Sequence, residues 1–576
     1  MKRRAFLSLA QKHQSQAKAP RLLQEIRKSA FQNPAETGDI SFQLPPRPPV
    51  VAGLDPYTGT WTVAQAAHLL RRTMFGATWQ DVQRVLSLGM NAAVDLLLQM
   101  PDPGDEPANP VNDYNNDDVT DPEVPFGEDW TEASWSVDTE FYKTWSLKSW
   151  WMRNIIGQKI SIHEKMVLFW HNHIPVQMDD IFFARRSFKY LKLLRRHVLG
   201  NFKTLVKDIT LDPAMLQYLN GQENSAQQPD ENYARELQEL FCIGKGPDAK
   251  FTEGDVQAMA RVLTGHRARF DNDDYFFAYW EHDGTDKQLS AFYNNAVITG
   301  RSGVAGAEEL DDLLDVIFDN DETALFVCRK LYRFFVYHDI DATTEQNVIQ
   351  PMAQIFRDNN YEILPVLDAL FRSQHFYENL NLGVVIKSGL DFQLGSAREL
   401  KLTLPPPAEL TENWQIFSQY IYVSALLQHY IGDPPNVSGW AAYYQIPQFD
   451  KHWITTDTLP RRIQIGDGLI FAGISSDNYT AAFDLVAVTK SFSDPADPNK
   501  LISDVLSWMF PIAVSPGVSF VLKSILLSGQ VSDHYWSDAW NDHINNPDDE
   551  MKFEIVNARL KGFYYYLLHL EEYHLS

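Results

Sequence analysis

Glu164-Lys-Met-Val-Leu-Phe-Trp-His-Asn-His173 and Asp230-Glu-Asn-Tyr-Ala-Arg-Glu-Leu-Gln-Glu-Leu-Phe-Cys-Ile-Gly244 are the two stretches whose reading decides the fold. Both follow the helical period. In the first, Ile162, Met166, Phe169 and Trp170 share one apolar stripe, which His173 continues, while His171 aligns with Glu164 and Val167. In the second, Asn232, Arg235, Glu236 and Glu239 form a polar stripe opposite Tyr233, Leu237, Leu240 and Phe241. Ionisable groups set among bulky apolar residues are costly unless paired, ligated or used.

Working outward, the pattern is helix after helix. Thr62/Gln65, Thr78/Asp81, Ser161/Glu164, Asp230 and Thr252/Asp255 are helix-start signals, and Gly76, Gly244 and Gly265 are stops. Arg267–Phe270, Tyr275–His282 and Lys287–Tyr293 are β-prone runs between turns, which predict a small antiparallel meander over 267–293. Residues 101–129 hold ten Asp or Glu and no Lys or Arg, the composition of a loop. There Asp113, Asn115 and Asp117 imitate the start of a calcium loop, but Asp118 replaces the required glycine and Val124 the closing glutamate. The expected class is mainly α, a multi-helix globular protein with a small β-meander insert. The expected organisation is a leader and linker over 1–60, a helical core over 61–465 and a C-terminal helical extension over 466–576.

Composition bounds the function. A chain of 576 residues that is 44% hydrophobic has ample core. A net charge of -25 opposes phosphate contact, so no nucleic-acid partner is expected. The two cysteines, Cys242 and Cys328, read as small core residues, with a disulfide between them as the alternative. No apolar run reaches the ~18 residues of a membrane span. Lys2-Arg3-Arg4-Ala5-Phe6-Leu7 resembles a twin-arginine export signal, yet polar Gln11–Gln16 follows it. A periplasmic or envelope location and a cytoplasmic one both stand at this point.

Three places carry candidate chemistry. His171 and His173 lie two positions apart on a helix, so they point ~200° apart and do not chelate as they would on a strand. Glu236 and Glu239, on consecutive turns, can bind a divalent metal with His171 or share a proton; with Arg235 they can equally form a plain ion-pair network. His282-Asp283, with Lys287 a turn later and Arg261 and His266 upstream, can be an orienting dyad or a ligand set. The loop Gly432–Trp440 has rigid prolines, Asn436 and an aromatic anchor, Trp440, and reads as a contact surface. Catalytic roles fall to His171, Glu236, His282 and Asp283, and binding roles to Glu164, His173, Asn232, Arg235, Arg261, Lys287, Asn436 and Trp440. Walker, Rossmann and Gly-x-Ser-x-Gly signatures do not occur.

These segments resemble the uncharacterised bacterial domain-of-unknown-function family 1800. The resemblance runs through His68–Gly76, Glu164–His173, Leu199–Phe202, Asp212–Leu216, Glu231–Gly244, Leu263–Gly265, His282-Asp283, Lys387-Ser388, Pro434–Trp440 and Trp453–Thr456 to Arg462. It departs at His266, where Trp is usual, at Asp230 for Asn and at Gly389 for Pro. It implies a mostly helical protein, often exported, commonly encoded beside sulfatase-like proteins, and it assigns no reaction. Two functions follow: an enzyme-like protein, with His171, Glu236, Glu239, His282 and Asp283 converging for metal-assisted hydrolysis, or a non-catalytic binding or scaffold partner of a sulfatase-like protein.

Overall fold

The computed structural model describes residues 48–100, 106–115, 119–270 and 273–576. The Lys2–Leu7 leader and Asp117-Asp118 of the acidic loop lie outside the described residues. Helices dominate. We label α1 (Val63–Thr73), α2 (Glu140–Gly157), α3 (His163–His173), α4 (Ala184–Arg196), α5 (Asn232–Glu236), α6 (Glu253–Val262), α7 (Glu309–Phe318), α8 (Asp321–Phe335), α9 (Gly389–Glu399), α10 (Leu410–Leu426), α11 (Thr458–Phe471) and α12 (Glu550–Leu568). The mainly α class read from the periodicity holds.

The local signals act as their chemistry dictates, with exceptions. Thr78/Asp81 and Thr252/Asp255 form complete capping boxes. At α1 the Thr62 side chain accepts from the amide of Ala64, but its hydroxyl donates to Gln65 Oε1 at 2.5 Å, so the box is only half made. At α3 the expected Ser161/Glu164 box does not form, because the Glu164 carboxylate is engaged by Arg195 and Trp151.

The β segment is a pair of separate hairpins rather than one meander. β1 (His266–Ala268) pairs antiparallel with β2 (Tyr275–Phe277), and β3 (Lys287–Gln288) with β4 (Val297–Ile298), beyond the expected boundary. Between them Tyr279–Glu281 makes a short 3-10 turn that leads into buried His282, and this breaks the ladder. A third hairpin joins Ile474–Ser475 to Thr480–Ala481.

One apolar core runs through the folded part, from Ala66 to Tyr573. Cys242 and Cys328 are buried free thiols within it, as their apolar setting predicts. Early and late segments interlock: Arg71 Nη2 donates to the carbonyl of Trp508 at 2.8 Å, and Trp508 Nε1 to that of Ala77 at 2.8 Å. Among the described residues no helix is long and apolar enough to cross a membrane. In the acidic loop Asp113 pairs with Arg153 at 3.3 Å, and Asn115 Oδ1 accepts from the amide of Asp121.

Gly76 sits at φ +67°, and a Cβ there would lie 2.7 Å from the carbonyl oxygen of Gly395 in α9. Gly76→Ala therefore combines left-handed strain with a backbone clash that has no flexible side chain to yield. We expect a loss of about 2 kcal/mol or more, read as a lower urea midpoint.

Candidate functional site

The first motif builds a dry cluster under α2, α3 and α4. Glu164 Oε1 accepts from Arg195 Nη1 at 2.6 Å and Oε2 from Trp151 Nε1 at 3.2 Å. Burial pushes its carboxyl up, opposed by the Arg195 guanidinium. His171 Nδ1 lies 3.2 Å from the hydroxyl of Tyr190, which donates to the carbonyl of Ile174. His173 Nε2 lies 2.9 Å from the carbonyl of Phe241, where the end of a helix leaves that oxygen without an intrahelical donor. The two imidazoles diverge as helix geometry requires, and burial pushes both down to about 3, so both are neutral.

The second motif is not one regular helix. α5 gives way to a π-helical turn at Leu237–Cys242, with the amide of Ile243 bonded to the carbonyl of Gln238. Arg235 reaches Glu231 at 3.0 Å, Glu239 at 3.4 Å and Glu253 at 2.6 Å, and Lys245 holds Glu239 at 2.6 Å. Asn232 Nδ2 donates to the carbonyl of Leu219. Glu236 stands apart: its Oε2 is buried with no hydrogen-bond partner, and burial raises its carboxyl.

The third motif is a network that is partly open at Arg261 and Asp283 and sealed at His282, Lys287 and Glu309. Arg261 Nε donates to Asp283 Oδ2 at 2.6 Å. Burial would raise the Asp283 carboxyl, but the bonds from Arg261 and Thr285 outweigh it and hold it well below the usual range. His282 Nδ1 lies 2.9 Å from the carbonyl of Thr264, and its Nε2 3.1 Å from Glu309 Oε1. Lys287 pairs with the other oxygen of Glu309; the side chains of His282, Lys287 and Glu309 are 2%, 0% and 0% exposed. His266 packs against Tyr275 and Phe277 as a neutral ring pushed down to about 3 by burial.

In the 432–440 loop, Trp440 is buried, its amide donating to Asn172 Oδ1 at 2.9 Å and its ring 5.9 Å from His171 and 4.4 Å from His429. Exposed Asn436 accepts the amide of Ser438. The structure thus joins Trp440 to His171, and Arg261 and Lys287 to the His282-Asp283 pair. Among the described residues no hydrogen bond or ion pair joins His171 to Glu236 or Glu239, and no group of three His, Cys, Asp or Glu side chains is arranged to hold a metal ion.

What residue-by-residue reading missed is a chamber where α1, α3, α8 and α9 meet under the segment 441–453. It measures about 20 Å³, with Arg72, Lys165, Arg333, Ser388, Asp391 and Tyr443 in its wall. Lys165 pairs with Asp391, and Ser388 and Asp391 form the capping box that starts α9. Burial would raise Asp391, but Lys165 outweighs it and the carboxyl is lowered. Arg72 and Ser388 belong to stretches quoted above only for their resemblance, and Lys165 to the opening stretch, where it was given no role. The signals in the sequence were the Ser388/Asp391 spacing and a lysine among Met166, Val167 and Leu168.

A family model described as a protein of unknown function, DUF1800, matches residues 68–558. The chain belongs to the DUF1800 family. No curated protein matches it, and no solved structure matches it. In this DUF1800 chain the matched stretch takes in all three motifs and the chamber.

Two outcomes are expected. Glu309→Gln strands buried Lys287 and costs about 3–5 kcal/mol. Glu236→Gln stays within about 1 kcal/mol or stabilises, because a raised carboxyl means the charged form is strained at neutral pH and Arg235 keeps its other partners. Urea midpoints of both variants at pH 7 check this.

The second outcome concerns pH. His163, His171, His173, His266, His429 and His574 are each pushed by burial from the usual 6.5 to about 3. The unfolded chain takes up these protons below about 6.5 and the folded chain refuses them. The stabilisation is full above 6.5 and is lost as pH falls towards 3. His266→Phe should flatten the loss by one proton, about 1.4 kcal/mol per pH unit, in melts between pH 6.5 and 5.

Proposed function

We propose that this DUF1800 protein is a non-catalytic binding or scaffold protein of the cell envelope that works against a sulfatase-like partner. The observation that carries the reading is the sealed His282–Glu309–Lys287 network, with side chains at most 2% exposed. Side chains of that kind hold a fold in one arrangement and are out of reach of a substrate. Metal-assisted hydrolysis at His171, Glu236 and Glu239 lacks such support: Arg235 and Lys245 already occupy Glu239, and His171 faces Tyr190.

The loop read as a contact surface has the form the reading needs. From below it is fastened by Lys148, whose ammonium meets Asp179 at 2.6 Å and Asp433 at 2.5 Å, and by Asn172 on Trp440. The segment just after it, 445–448, is exposed, with Ile446 at 74%. A rigid base beside an exposed apolar segment loses little entropy on docking.

The test is co-purification of the intact chain with the sulfatase-like protein encoded beside it. A complex is expected, and Ile446→Asp should weaken it at least about tenfold, the loss of one buried apolar anchor, with an unchanged melting temperature. A complex indifferent to Ile446→Asp, or hydrolysis of a sulfate or phosphate ester abolished by Glu236→Gln, would overturn the reading.

A further inference from the structure

The charges around the chamber do not balance. Its wall carries Arg72, Lys165 and Arg333 against Asp391 and Asp450. Lys165 is matched by Asp391, and Asp450 lies 2.8 Å from His338. Behind the wall stand Arg71, Lys387 and Arg462; Glu399 acts on Arg71 and Lys387, and Asp391 on Lys387 and Arg462.

Among the described residues, Arg71, Arg72, Arg333, Lys387 and Arg462 have no carboxylate within salt-bridge reach. They make do with neutral acceptors. Arg72 donates Nε to the carbonyl of Phe335 at 3.0 Å, Nη2 to that of Phe334 at 2.9 Å and Nη1 to the hydroxyl of Ser576. Arg333 Nε reaches the carbonyl of His338 at 3.3 Å. Lys387 lies over the ring of Tyr573, 3.9 Å from its centre. Arg462, 0% exposed, donates Nη2 to Lys387 and Trp453 carbonyls, while its Nε and Nη1 have no partner.

Such an excess is anomalous twice over. A buried cation without a counter-charge costs several kcal/mol. It also occurs in a chain of net charge -25, which has carboxylates to spare. Burial accordingly pushes Lys387 down to about 8 and Arg462 to about 10. A bound anion would remove the anomaly, since opposite charge at short range in a poorly hydrated interior is strongly favourable.

We propose that the chamber is an anion site, taking one small, singly charged anion between Arg72, Lys165 and Arg333. The hydroxyl of Tyr443 stands in the same wall and offers a further donor, whereas that of Ser388 is spent on Asp391. Size sets the class. A volume of about 20 Å³ holds about one water-sized body. A halide fits, and so does the end of a carboxylate whose remainder leaves past Arg333; a tetrahedral dianion does not. Ala441–Tyr443 and Phe449–Trp453 roof the chamber, so the occupant would brace the base of the segment that carries Ile446. The site stands apart from the partner reading, which requires no ligand.

The experiment is a set of thermal melts of the full chain at constant ionic strength, with chloride, acetate or sulfate as the varied anion. Arg333→Gln is the comparison variant, because Arg333 is half-buried at the rim and its loss leaves Arg72 and Lys165 in place. Chloride or acetate at ten times its dissociation constant should raise the wild-type melting temperature by about 2 °C over sulfate, with a clearly smaller rise in Arg333→Gln. Broadening of the chloride-35 resonance by wild-type protein, reversed by acetate, should accompany it. A response to both anions supports the site as stated. A response to acetate alone assigns it to the carboxylate of a larger ligand, and to chloride alone to a free halide. Equal rises in wild type and Arg333→Gln, or none in either, would overturn the proposal.

Discussion

The pairing of Lys165 with Asp391 is the joint on which the architecture turns. It ties α3 to α9 across 226 residues of sequence, in a place water barely reaches. Each partner is held from a second side. Asp391 also receives Ser388 and so starts its own helix. Lys165 lies over the ring of Phe75, 4.6 Å from its centre, beside the Gly76–Gly395 approach. A pair so embedded is not a free gain in stability, because both ions had to leave water. What it enforces is uniqueness. A packing that separates α3 from α9 would leave two stranded charges, so alternatives are removed more than the native state is deepened.

The same logic recurs at other buried charges, away from the cations around the chamber. Lys148 meets two aspartates, Arg185 and Arg186 converge on Asp273, and Lys287 and His282 share Glu309. His173 and His429 are handled differently. Pushed down by burial, they serve as neutral polar aromatics: His173 lies parallel to Phe169 with centroids 5.9 Å apart, and His429 stacks on Trp453 at 4.5 Å. An imidazole amid bulky rings is thus poor evidence of catalysis. It is a ring that packs as carbon and still satisfies a carbonyl.

Legibility in the sequence followed distance along the chain. The helix of the first motif, the boxes at Thr78 and Thr252 and the turns at Gly244 and Gly265 are local, and they formed as read, whereas the stripe of the second motif runs from α5 into a π-helical turn. Arg235 with Glu231 and Glu239 was within reach of a helical wheel, whereas Glu253 on α6 was not. The missed Ser161 cap and the split meander share a cause: Glu164 and His282, legible as local elements, were claimed by Arg195 and Glu309 from elsewhere. The chamber was hardest to see, since its wall draws on residues from 72 to 453. The resemblance had marked Arg72, Lys165, Ser388 and Trp453 without saying what they do, and nothing had marked Arg333, Asp391 or Tyr443.

The bond from Arg71 to Trp508 has a consequence for how this chain comes into being. Its partners are 437 residues apart, so at a synthesis rate of 5–20 residues per second α1 waits roughly 20–90 s for the helix it packs against. During that interval the apolar face of α1 has no final cover, and for most of it Lys165 has no Asp391. Closing contacts of such span is entropically expensive and slow. The nascent chain therefore spends its early life with buried-to-be apolar and charged groups of its first helices still open to water.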